Sequence, residues 1–155
     1  MIITDKDINV LYVDDEINTL NSFKANFRDE FNIYVADSAS RAKDLLNRIS
    51  IHVIIADHKM PKTSGIQFFK KIIPLYPEPV RILITGFTRE DVAEKSTTKA
   101  KVYRYIKKPW NDIEMRKIIN DAYQIYISNN GKSEIKKTPV SIDKLEIDKK
   151  GGKKS

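Results

Sequence analysis

Two kinds of apolar pattern alternate along the chain. Short runs rich in β-branched and aromatic residues occur at NVLYV (9–13), NIYVA (32–36), HVIIA (52–56), VRILIT (80–85) and KVYRYI (101–106). Between them, apolar residues recur every three or four positions. Ile17, Leu20, Phe23 and Phe27 form one such stripe; Ala42, Leu45, Leu46 and Ile49 form a second. Ile66, Phe69 and Ile73 form a third, and Ile113, Ile118, Ala122 and Ile125 mark a last helix. Start signals fit these stripes: Ser38 or Ser40 for the second helix, Thr88 with Glu90 and Asp91 for a fourth, Asn111 with Asp112 for the fifth. Pro74, Pro77 and Pro79 close the third helix and lead into the fourth strand. The fourth helix has the weakest periodicity, in AEKSTTKAK.

Strict strand–helix alternation predicts an α/β fold: a doubly wound, five-stranded parallel sheet with helices on both faces. The near-continuous apolar runs suit strands covered on both sides. Ligands of such sheets bind beyond the carboxyl ends of the strands. There the sequence is unusual. VIIADHKMP, residues 53–61, runs an apolar strand straight into Asp57. The first strand ends in VDDE, with Asp14 and Asp15; the fourth ends in Thr85-Gly86; the fifth ends in KKP, with Lys108 before Pro109.

Three carboxylates, a hydroxyl and an ammonium thus gather at one end of one sheet. Carboxylates packed together repel, and one should titrate high unless a cation sits among them. Hard oxygen donors fit Mg²⁺, which keeps waters and leaves room for a phosphate oxygen. Lys108 is a point-charge phosphate binder by type, and Thr85 offers a hydroxyl donor. A carboxylate beside a cation and a lysine is placed to attack a phosphoryl group and form an aspartyl phosphate. Asp14 and Asp15 alone would read as a helix cap pair before EINTL, and Thr85 alone as an ordinary strand residue. Their convergence with Asp57 and Lys108 favours the functional reading.

With VDDE, DHKMP, TG and KKPW in this order, residues 8–127 resemble the receiver domain of bacterial two-component response regulators. VYRYIKKPW looks most like receivers in which Trp follows the Lys-Pro pair. The resemblance implies a flavodoxin-like sheet of order 2-1-3-4-5 and a cis Lys108–Pro109 bond. It implies that Asp57 accepts phosphate from a histidine kinase or phosphotransfer protein. It further implies that Asp15, Asp57 and the Lys59 backbone carbonyl bind Mg²⁺, with Asp14 helping through water. Lys108 and Thr85 would contact the phosphoryl oxygens, and Thr85 with Tyr105 would form the switch. Lys59 and Phe87, two residues after Asp57 and Thr85, would tune access of the hydrolytic water. The output is a remodelled face of fourth helix, fifth strand and fifth helix, with homodimerisation as one form of it. The protein is then a phosphoacceptor switch and not a conventional enzyme.

Other readings fit less well. A flavin or nucleotide binder needs a Gly-rich or hydroxyl-rich loop after the first strand, where this chain has the acidic DDEINT. A receiver-like binding module that takes no phosphate is the closer alternative, but all five phosphotransfer positions are filled. GKS at 131–133 lacks the upstream glycine of a phosphate loop, with Tyr126 in its place.

Composition narrows the rest. The chain has no Cys and only His52 and His58, which excludes disulfides and a His-rich metal site. No run approaches the roughly 20 apolar residues of a membrane span, and the start lacks the order of a signal peptide. A cytoplasmic location is expected. The net charge of +7 would suggest nucleic acid or an anionic membrane. However, residues 131–155 hold eight of the 28 basic and four of the 21 acidic side chains, which leaves +3 for the other 130 residues. Neither partner is expected. Residues 1–127 read as the receiver domain and 128–155 as a basic linker or tail, largely disordered. Within it Val140, Ile142, Leu145 and Ile147 punctuate TPVSIDKLEID. A stand-alone receiver and a fragment of a longer regulator both remain open.

Overall fold

The structure is a computed structural model that describes residues 7–86 and 100–137. Five strands form one parallel sheet: β1 (Asn9–Val13), β2 (Asn32–Ala36), β3 (Val53–Asp57), β4 (Val80–Thr85) and β5 (Arg104–Lys107). Helices α1 (Ile17–Phe27), α2 (Ala39–Arg48) and α3 (Gly65–Ile72) connect the first four. The helix expected from Thr88, and Phe87, fall on residues 87–99, outside the described residues. The helix at Asp112–Lys137 is therefore α4. The order is β2-β1-β3-β4-β5, in agreement with the sequence-based expectation, and every neighbour pair is parallel. No helix among the described residues is long and apolar enough to cross a membrane.

Strand alternation sorts the core into two halves. Val10, Tyr12, Val53, Ile55, Ile82, Ile84 and Ile106 face α1 and α4, where they meet Phe23, Phe27, Met115, Ile119 and Ala122. Leu11, Val13, Ile54, Ala56 and Leu83 face α2 and α3, where they meet Leu46, Ile66, Phe69 and Ile72. Helix starts are fixed locally. Ser38 Oγ accepts from the Arg41 N–H at 3.2 Å. Ser64 and Gln67 form a reciprocal capping box at α3. The Glu114 N–H donates to Asn111 Oδ1 at 2.7 Å.

The structure corrects four expectations. Ile17 and Ile113 belong to the predicted stripes yet are 58% and 78% exposed. Each is in the first two residues of its helix, beyond the reach of the sheet, and burial begins at Leu20 and Met115. The α3 stripe buries Ile72 rather than Ile73, which is the C-cap. β5 starts at Arg104 and not at Lys101. Lys101 has a φ of 49°, a left-handed conformation that breaks a strand, and Arg81 Nε donates to both the Ala100 and Lys101 carbonyls at 3.2 Å. Finally, α4 runs through 128–137, where a linker was expected. SNNGKSEIKK contains no proline, Asn130 Nδ2 donates back to the Tyr126 carbonyl at 3.0 Å, and the next proline is Pro139. Residues 138–155 lie outside the described residues.

Candidate phosphoryl-acceptor site

The site is assembled at the carboxyl ends of β1, β3, β4 and β5. Asp57 is the last residue of β3 and only 3% exposed. Both of its carboxylate oxygens have partners. Lys108 Nζ lies 2.7 Å from Oδ1, and the Lys59 backbone N–H donates to Oδ2 at 3.2 Å. Two backbone bonds hold the loop behind it: His58 N–H to the Ile84 carbonyl at 2.8 Å, and Gly65 N–H to the His58 carbonyl at 3.0 Å. Lys108 follows β5 and precedes a cis peptide to Pro109, and its own N–H donates to the Thr85 carbonyl at 3.0 Å. Its side chain is 45% exposed, so the pair is open on one side. Lys107, the last residue of β5, is exposed.

Asp14 is 2% exposed just after β1, whereas Asp15 beside it is exposed. Asp14 does not cap α1; Glu16 is the N-cap, without a side-chain bond. Asp14 Oδ1 instead accepts the Glu16 N–H at 3.0 Å, and the Tyr12 hydroxyl faces Oδ2 at 3.5 Å. One carboxylate oxygen from each of Asp14, Asp15 and Asp57 fits within 4.8 Å. Three acids against one ammonium leave an excess of negative charge in a poorly solvated place. The consequences are visible in the protonation. Burial pushes the Asp14 carboxyl up to about 6; the Glu16 N–H opposes this, Asp57 adds to it, Lys108 opposes and Asp15 adds. Burial works to lower the Lys108 ammonium, but its bond to Asp57 and the charges of Asp57, Asp14 and Asp15 hold it above its ordinary range. Burial, then Asp14 and Asp57, push the Tyr12 phenol far above its ordinary range.

A cavity of about 200 Å³ opens over Asp57, lined by His58, Lys59, Thr85, Gly86 and Lys108. Thr85 is buried at its wall. The register pairs Leu83 with Tyr105 and Thr85 with Lys107. Thr85 and half-buried Tyr105 therefore share one sheet face as diagonal neighbours. The space is large enough for a phosphoryl group, and cationic and hydroxyl groups line it.

Comparison with known proteins points the same way. A profile of the response regulator receiver domain matches residues 10–120. The chain belongs to the response regulator receiver family. Phosphorylation on an aspartate is the general function of this family, and its members generally bind Mg²⁺ at an acidic pocket. The chain is 32% identical over 117 residues to the hydrogenase transcriptional regulatory protein HoxA of Bradyrhizobium diazoefficiens, covering 76% of this chain and 24% of that protein. It is 36% identical over 107 residues to HoxA of Cupriavidus necator, covering 69% of this chain and 22% of that protein. It thus spans about a quarter of the length of these relatives. Among solved structures, a receiver domain protein from Clostridium thermocellum superposes with a TM-score of 0.68 at 28% identity, covering 76% of this chain and 94% of that one.

Of the sequence-predicted site residues, Asp14, Asp15, Asp57, Lys59, Thr85 and Lys108 come together. Tyr105 stands one strand away, and Phe87 lies outside the described residues. Sequence reasoning missed two neighbours. Gly65 opens α3 against the Asp57 loop: a Cβ there would lie 2.8 Å from the Asp57 carbonyl oxygen and 2.6 Å from Leu83 Cδ1. The available signal was its place directly after the capping Ser64. Tyr12 looks like a plain strand residue in the sequence, although its spacing of two from Asp14 puts both on one face.

Proposed function

We propose that Asp57 is the phosphoacceptor of this chain and that the reaction requires Mg²⁺. The observation that carries this is the position of Asp57, buried yet held by Lys108 at 2.7 Å, close to Asp14 and Asp15, and lining a cavity that Lys108 and Thr85 also line. The donor set is all hard oxygen, which suits Mg²⁺. Asp15, Asp57 and the Lys59 backbone carbonyl would hold the ion, with Asp14 acting through water. When bound, it would neutralise charge on the transferred group and offset the crowded carboxylates.

The remaining work belongs to the chain. A carboxylate oxygen of Asp57 attacks the phosphorus of a phosphohistidine on a histidine kinase or phosphotransfer protein. The P–O bond forms as the P–N bond breaks, and the electron pair leaves with the imidazole nitrogen. Lys108 follows the phosphoryl oxygens with its ammonium, and Thr85 donates its hydroxyl to them. Drawing Thr85 inward frees space on the face it shares with Tyr105, so phosphorylation favours one of two arrangements there. The protein-contact face that includes β5 and α4 then changes, and a second copy of the chain is one partner for it. Lys59 lines the approach to the phosphoryl group and, with Phe87, restricts the hydrolytic water. The chain thus catalyses only its own phosphorylation and dephosphorylation.

The test is incubation with Mg²⁺ and acetyl phosphate, read by intact mass. One added phosphoryl group is expected on the wild-type chain and none on Asp57→Ala. Followed over time after donor removal, the same mass signal should decay faster in Lys59→Ala. A wild-type chain that gains no mass would favour a receiver-like binding module that takes no phosphate.

A further inference from the structure

Tyr12 has a chemistry that phosphoryl transfer does not use. It is fully buried on β1, on the α1 side of the sheet. A phenylalanine would fill the same space, because the ring is held by stacking. Its centroid lies 4.1 Å from that of Phe23 with the planes 2° apart. Phe23 in turn meets Trp110 edge-on at 5.8 Å, and Trp110 is two residues beyond Lys108. The hydroxyl adds a buried polar atom, which costs stability unless something uses it.

Its acceptor is Asp14. The strand alternation that places Tyr12 and Asp14 on one face aims the O–H at Oδ2, at 3.5 Å. This is a loose contact, beyond the usual range of about 2.5–3.0 Å for an O–H···O bond, of the kind that tightens when a full complex forms. The Glu16 N–H takes Oδ1. The two donors reach different oxygens of the carboxylate, one from the strand and one from the loop, so together they restrict its orientation.

We infer that Tyr12 is a positioning residue of the acidic site: its hydroxyl orients the Asp14 carboxylate for a divalent cation, and its stack on Phe23 keeps the hydroxyl in place. This rests on the reading of Asp14, Asp15 and Asp57 as a Mg²⁺ site. A group that orients a metal-associated carboxylate affects affinity without touching the ion.

The test is a Mg²⁺ titration of the full chain by calorimetry and by fluorescence of Trp110, its only tryptophan. The variants are Tyr12→Phe, Asp14→Asn and the double variant, each checked by thermal melting in EDTA. Tyr12→Phe should keep its melting midpoint and raise the Mg²⁺ dissociation constant about tenfold, the low end for such outer partners. In the Asp14→Asn background the same change should have no further effect. Affinity within about twofold of wild type for Tyr12→Phe would overturn the inference. So would an equal loss in the Asp14→Asn background, because the hydroxyl would then act elsewhere. A wild-type chain that takes up no Mg²⁺ at millimolar concentrations would instead overturn the cation-site reading on which the inference stands.

Discussion

Asp14 shows what the site costs the fold. Its carboxyl is pushed up from 3.8 to about 6, chiefly by burial. Between those values the folded chain holds a proton that the unfolded chain has lost. Its contribution to stability is therefore full below about pH 4 and disappears as pH rises through about 6. Two pKa units correspond to at most about 3 kcal/mol. In EDTA, the difference in urea-derived stability between wild type and Asp14→Asn should shift in favour of the variant from pH 4 to pH 7. Added Mg²⁺ should offset the wild-type deficit at pH 7. A difference that moved the other way with pH would contradict this account. The carboxylates and Lys108 were legible in the sequence because each ends an apolar run. Tyr12 was not, because its role depends on a hydroxyl reaching two residues along the same face.

At the scale of elements, the first four strands were legible to within a residue, since buried parallel strands leave unbroken apolar runs. β5 was not. Its start depends on Arg81, a buried guanidinium that also donates to the Pro77 and Pro79 carbonyls at 3.3 and 2.8 Å. No local pattern announces a side chain that pins backbone some twenty residues away. Ile17 and Ile113 mislead for the opposite reason: periodicity continues past the edge of the sheet that would bury it. The α3 start places the site most directly. Gly65 has no room for a Cβ beside the Asp57 carbonyl, and the obstructing atoms include backbone. Gly65→Ala should cost about 1–3 kcal/mol and slow acetyl-phosphate labelling of Asp57 severalfold. Urea midpoints and initial labelling rates check this; wild-type values for both would contradict the close packing.

At the scale of the molecule, the sheet separates two tasks. The face toward α1 and α4 carries Tyr12, Phe23 and Trp110, which pack together beside Asp14, and Tyr12 is the residue inferred to orient its carboxylate. The face toward α2 and α3 carries Thr85 and Tyr105, the pair proposed to move. Asp57 sits at the strand end between them, so one phosphoryl group can touch the support on one side and the switch on the other. The helical run of 128–137 was not legible in the sequence: Asn129, Asn130 and Gly131 read as a stop signal, yet α4 continues through them, while the receiver profile itself matches residues 10–120. The central claim is that Asp57 takes the phosphoryl group with the help of Mg²⁺ and Lys108. Borohydride reduces an aspartyl phosphate to homoserine, which peptide mass spectrometry locates. After acetyl-phosphate treatment, homoserine should appear at position 57 alone, and EDTA or Lys108→Met should abolish it. Homoserine at Asp14 or Asp15, or at position 57 regardless of Mg²⁺, would contradict the account.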